Sequence, residues 1–256
     1  MVSDLLALSP AERLLWDNGI RKPEHIDLEA IANNLGAHVV YRRLDGCVAR
    51  LVTDGDSAVI SISQDDNEGR QRFSLGHELA HLINDARKGL IRCASEDIGP
   101  QNAEAMSVEA HANSFASQLV LPDFLVKPWM TERKLTLNAA AQMAQDFRAS
   151  VTASAIKLVK RSDCAVCVAC HDMKRLRWFQ KSLSWPFQLY VRRELHQDTS
   201  AFELAFGSKG GMANPRREQA NRWITGPDMY RKMVDTQSMK LPDGSVLSMI
   251  VLGLGR

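Results

Sequence analysis

The sequence predicts an α+β fold: a small antiparallel sheet packed on one long helix and its successors, a helical pair, and then a smaller β-rich C-terminal domain. Three observations predict it. Apolar residues alternate with period two between about residues 37 and 63, recur at helical spacing from 67 to about 160, and return to period two from 164 onward. The expected boundaries are 1–128 for the core, 129–163 for a helix-turn-helix-like segment and 164–256 for the β-rich domain, regulatory or substrate-recognising.

Each element has a local cause. Ser9-Pro10-Ala11-Glu12 starts a helix, because Ser9 can cap it, Pro10 suits the first turn and Glu12 can reach back to the cap; the helix should run to Asn18, before Gly19. A second helix from Leu28 to Leu35 stops at Gly36. Ala37–Arg43, Cys47–Thr53 and Ser57–Ser63 read as strands joined by turns at Leu44-Asp45-Gly46 and Asp54-Gly55-Asp56. Helices then follow over Asn67–Asp85, Ala103–Leu121, Thr136–Phe147 and Val151–Lys160. Two hairpins close the chain, one turning at residues 171–174 and one at Pro242-Asp243-Gly244. Residues 183–228 have no dominant period and receive no element.

Composition excludes several classes. The 256 residues are 45% hydrophobic and 24% charged with a net charge of +2, which excludes a mainly disordered chain and a strongly basic nucleic-acid binder. No apolar run reaches the ~18–20 residues of a membrane span. The start of the chain lacks the pattern of a signal peptide and reads as an amphipathic helix. Five cysteines without scaffold spacing point to free thiols in a reducing cytoplasm.

The chemistry is concentrated in His77-Glu78-Leu79-Ala80-His81. Histidines at i and i+4 share a helix face and can converge on one tetrahedral metal ion, while Glu78 projects from the neighbouring side toward a water on that ion. Such a site lacks one protein ligand. Asn84 and Arg87 stand where the extended HExxHxxGxxH pattern has Gly and His, so that ligand comes from elsewhere. On the helix before Pro122, Glu109 is the best candidate; His111 is a rival, turned roughly 200° away from it. Asn113, one turn beyond Glu109, can hydrogen-bond a ligand imidazole and fix its tautomer.

RQRFSLGHELAHLI followed by VEAHANSFASQLVLP resembles the ImmA/IrrE family of bacterial zinc metallopeptidases, over about residues 8–162. The resemblance implies a zincin-like core, with His77, His81 and Glu109 holding one Zn2+ and Glu78 as general base. It implies an endopeptidase that cleaves a helix-turn-helix repressor encoded nearby, switching on stress or mobile-element genes. Many members carry a DNA-binding domain before the core. Only about seven residues precede the first helix here, which favours a separate protein partner. In the expected mechanism, a metal-activated water loses its proton to Glu78, which returns it to the leaving amine. Ala58–Ser63 is expected at a sheet edge, where substrate adds as a strand. Tyr41, Tyr190, Tyr230 and several arginines are candidates for oxyanion stabilisation.

Other signals have plainer readings. Cys167-Val-Ala-Cys170-His171 matches a haem-attachment pattern, but sits in an apolar strand; Cys164, Cys167 and Cys170 alternate faces and do not converge on a metal. Thr136–Lys160 reads as a helical pair packed on the core, with DNA contact through Arg148, Lys157, Lys160 and Arg161 as its rival. Lys174-Arg175, Arg192-Arg193 and Arg216-Arg217 read as solvated surface. A pocket lined by Trp178, Phe179 or Trp223 would indicate ligand sensing, and a solid core would argue against it. The alternative to a peptidase is a metal-containing binding module that holds a partner or DNA.

Overall fold

The computed structural model describes residues 7–55, 57–85, 91–93, 108–208 and 210–253. The chain divides into two compact units. The first comprises residues 1–131 with 143–150, and the second comprises 132–142 with 151–256. Among the described residues no helix is long and apolar enough to cross a membrane.

In the first unit, α1 (Pro10–Asp17) is closed by a capping box: Glu12 N–H donates to Ser9 Oγ, and the Glu12 carboxylate accepts from Ser9 N–H at 2.9 Å. Glu12 is buried, and its second oxygen accepts Phe124 N–H at 3.2 Å, the first turn of α5 below. Asp27 caps α2 (Leu28–Asn34) through Glu29 and Ala30 N–H. β1 (Ala37–Arg42), β2 (Ala49–Asp54) and β3 (Ser57–Ser63) follow.

The sheet is mixed, which corrects the antiparallel expectation. With β4 (Ile91–Cys93) its order is β1-β3-β2-β4, and β1 runs parallel to β3. β3 therefore lies inside the sheet, and Ala58–Ser63 offers no free edge for substrate. The reason is burial. Ile60, Ile62 and Ser61 are fully buried, and the most continuously buried strand takes an inner place with both backbone edges paired.

α3 (Glu68–Asp85) packs on β2 and β3 and, more extensively, on α4 (Val108–Val120). The expected start of α4 at Ala103 lies outside the described residues. Pro122 then begins α5 (Asp123–Met130), where the sequence analysis placed no element: Pro122 reads as the stop of the helix before it, and Pro128 lies inside the new one. α6 (Leu137–Asp146) and α7 (Val151–Arg161) are separated by a break in which Arg148 takes a positive φ of 52°.

The second unit holds a five-stranded antiparallel sheet. Its strands are β5 (Val166–His171), β6 (Leu176–Lys181), β8 (Arg216–Gln219), β10 (Met233–Lys240) and β11 (Val246–Leu252), in the order β6-β5-β11-β10-β8. Both expected hairpins, β5–β6 and β10–β11, are present. The stretch given no element supplies β7 (Tyr190–Val191) and β9 (Ile224–Thr225), paired as a small separate sheet, together with β8 and α8 (Ser200–Phe206). The core gathers Cys167, Ala169, Trp185, Leu204, Trp223 and Ile250. Trp223 Nε1–H donates to the buried Glu218 carboxylate at 2.6 Å, and Thr236 Oγ1–H donates to the same oxygen at 2.8 Å.

Candidate metal centre

α3 is helical for local reasons. Asn67 Oδ1 accepts Arg70 N–H at 3.0 Å and caps it, and Glu68 lies in the first turn, where negative charge is favoured. Its two glycines are sites of close approach. A Cβ at Gly69 would collide with the backbone of Ala149 and Ser150, beside an ion pair between Glu68 and Arg148. A Cβ at Gly76 would stand 3.2 Å from Ala116 Cα on α4. The contact between Gly76 and Ala116 lets α3 and α4 approach closely at the turn that carries His77.

That approach brings the ligands together. His77 Nε2 lies 3.0 Å from Glu109 Oε2 and 3.0 Å from His81 Nε2, and His81 Nε2 lies 3.5 Å from Glu109 Oε2. The three donor atoms fall within 4.8 Å of one another, a group that could hold a metal ion. Tetrahedral ligands with bonds of 2.0–2.1 Å stand about 3.3 Å apart, so these spacings suit one ion. Two imidazole nitrogens and one carboxylate oxygen also match the donor set of a borderline divalent cation.

The surroundings are asymmetric. His77 and His81 are almost fully buried, whereas the Glu109 side chain is 32% exposed, so the group is reached from Glu109's side. Asn113 Oδ1 stands 3.2 Å from His77 Nδ1. With the proton on Nδ1, the imidazole donates to Asn113 and Nε2 keeps its lone pair toward the other ligands. Glu78, between the first ligand and Leu79, is fully buried. His111 is exposed and outside the ligand group; it lines a cavity of about 260 Å3 with Ala80, His81, Asn84, Val108 and Ala112.

The other candidates separate from this group. Tyr41 O–H donates to Glu29 at 2.8 Å, and burial with that carboxylate pushes its pKa up to about 12. Arg148 is held by Glu68, and Lys157 is 3% exposed, so two of the four side chains considered for DNA contact are otherwise placed. Cys167 and Cys170 are buried in β5, and burial raises both thiols. Trp223 and Trp185 belong to the core, while Phe179 lines a separate cavity. The sequence analysis did not single out Gly76 and Ala116; the available signal was two small residues on the two ligand-bearing helices.

Among solved structures, the chain resembles a Mycobacterium tuberculosis transcriptional regulator in fold, with a TM-score of 0.63 at 12% identity over 94% of this chain and 75% of that one. No curated protein matches it. The family model described as IrrE N-terminal-like domain, Peptidase M78, matches residues 32–159, half of the chain and the stretch holding all three candidate ligands. The chain belongs to the IrrE N-terminal-like family.

Proposed function

We propose that this protein is a cytoplasmic zinc-dependent endopeptidase that cuts a specific protein partner, a helix-turn-helix repressor encoded nearby. The observation that carries the proposal is the convergence of His77, His81 and Glu109 beside a fully buried Glu78. His77 and His81 would hold the ion through Nε2 and Glu109 through Oε2. When bound, zinc supplies a Lewis acid and a water that ionises near neutral pH. Glu78 would take the proton of the attacking water and deliver it to the leaving amine, the work of a general base and then a general acid. Asn113 would hold the His77 ring in the tautomer that ligates. Four described cysteines are free, in keeping with a reducing compartment.

The test pairs metal content with cleavage. The parent chain should carry about one zinc and cut the neighbouring repressor into fragments visible by intact mass. Glu78→Gln should keep the zinc and lose the cutting. Fragments formed by the variant at the parent rate would refute the assignment. A second reading, a metal-containing module that acts by binding, is favoured by the similar fold of a protein described as a transcriptional regulator. Under it, Glu78→Gln leaves the regulatory output unchanged.

A further inference from the structure

β6 ends the five-stranded sheet of the second unit, and a cavity of about 550 Å3 lies beside it. Leu176 and Phe179 form one bank, and Tyr190, Val191, Arg193 and Thr225 stand among the residues of the other. A bulge at Arg177 shifts the register, so that Phe179 opposite Ala169 and Leu176 opposite His171 share one face of the sheet, and the cavity lies against that face of the edge strand. At one end Leu176 N–H donates to Arg193 C=O at 2.6 Å. Past that tie the two segments part and leave the cavity between them. Its volume falls within the ~300–1,000 Å3 of specific ligand clefts.

The edge itself is unsatisfied. Ser182 N–H donates inward to Val166 C=O at 2.9 Å, so alternation turns the main-chain groups of Lys181 and Phe179 outward. The Gln180 side-chain amide donates to Lys181 C=O at 2.8 Å. Phe179 N–H and C=O and Lys181 N–H are left without a protein partner among the described residues. Phe179 and Tyr190 are 46% and 63% exposed, so both banks offer aromatic surface to an incoming chain.

We propose that this edge receives an extended segment of a partner protein, which pairs with β6 as an added strand and seats an apolar or aromatic side chain between Phe179 and Tyr190. Charge selects the flanks of that segment. Lys181 and Arg193 are exposed and form no ion pair among the described residues, and Glu194 is the one acid in the lining, so the segment carries Asp or Glu beside its apolar residues. A second copy of the chain fits poorly. An antiparallel β6–β6 pairing centred on Phe179 would set Lys181 against the bulge at Arg177, where the ladder is irregular and a second positive charge stands. The proposal does not depend on the metal centre.

The test uses short random peptides displayed on phage and selected on the full-length chain, with the recovered sequences synthesised and titrated by fluorescence anisotropy. Recovered peptides should alternate apolar residues within acidic flanks. Lys181→Pro removes an outward N–H without touching the ladder to β5, and Thr225→Trp fills the cavity; each should weaken binding about tenfold or more. N-methylation of the peptide's edge-facing amides should do the same on the unaltered protein, which keeps the test decisive where a variant fails to fold. Recovery of no peptide, or equal binding to both variants and by the N-methylated peptides, overturns the proposal. So does a dimer of the full-length chain that Lys181→Pro dissociates, since the occupant would then be a second copy.

Discussion

Replacing Gly76 separates the geometric requirement of the metal centre from its chemistry. The residue precedes His77 by one position, and a Cβ there would meet Ala116 Cα at 3.2 Å and Cβ at 3.4 Å, inside the ~3.5–4.0 Å of ordinary carbon contact. Alanine therefore asks α4 to yield by about 0.5 Å or less. It gains about 1 kcal/mol of helix propensity over glycine against roughly 1–3 kcal/mol of overpacking. Gly76→Ala should lie between neutral and about 2 kcal/mol less stable, with zinc affinity reduced less than about tenfold. Valine adds two methyl groups about 1.5 Å further out, toward the same backbone. Two ligands with bonds of 2.0–2.1 Å cannot bind one ion when they stand more than about 4.2 Å apart. The 3.0 Å between His77 Nε2 and Glu109 Oε2 would pass that limit if the helices parted by 1.5 Å, roughly one bond length. Gly76→Val should then weaken zinc by about a hundredfold or more in competition with a chromophoric chelator. Ala116→Gly should restore affinity to Gly76→Ala in part, because it removes the 3.4 Å contact with Cβ and leaves the 3.2 Å contact with Cα. A folded Gly76→Val variant that binds zinc like the parent would refute the claim that this contact sets the site.

Further expectations follow from single contacts. Asn113→Ala should cost about 10–100-fold in zinc affinity with the melting temperature of the metal-free protein nearly unchanged, as calorimetry and chelator competition would report; equal affinity would remove Asn113 from the site. Trp223→Phe leaves the buried Glu218 with one donor fewer and should destabilise the protein by about 1.5–3 kcal/mol in urea unfolding; a loss below about 0.5 kcal/mol would deny that bond its weight. Burial lowers the pKa of His171, opposed by its bond to Arg192 C=O and by Asp172, so the unfolded chain binds the proton more readily. This contribution to stability is complete above the unfolded pKa of about 6.5 and falls below it, by at most about 1.4 kcal/mol per pH unit. Denaturant titrations from pH 7.5 to about 5 should show that slope in the parent and lose it in His171→Gln, and an unchanged slope in the variant would assign the proton elsewhere. Ser9→Ala removes the Oγ that accepts Glu12 N–H and should cost about 1 kcal/mol in the same unfolding measurement; no loss would mean that Glu12, anchored also by Phe124 N–H, holds the helix end without it.

The elements legible in the sequence are those whose causes lie within a few residues. Ser9 with Glu12, Asp27 before Leu28, and the strand pairs flanking Asp172 and Asp243 each declare themselves locally, and each stands where its signals place it. The two histidines of α3 share a face by helical spacing alone, and the spacing of Glu109 and Asn113 on α4 is local in the same way. What joins those helices is not. The contact that lets α3 and α4 meet is a glycine against an alanine forty residues on, and small residues carry no periodic signal. Strand order fails for the same reason. β1 and β2 are each plausible neighbours of β3 from sequence, but only the burial of Ile60, Ser61 and Ile62 decides that both of them flank it. In residues 183–228 the strands are two to four residues long, too short to display a period, and they are held by partners far along the chain: Tyr190 and Val191 pair with Thr225 and Ile224, and Arg216–Gln219 pair with β10. A period of two needs several residues to be seen, so an element shorter than that is written only in its partners. The cavity beside β6 is bounded by such elements, and for that reason it is visible in the fold and silent in the sequence.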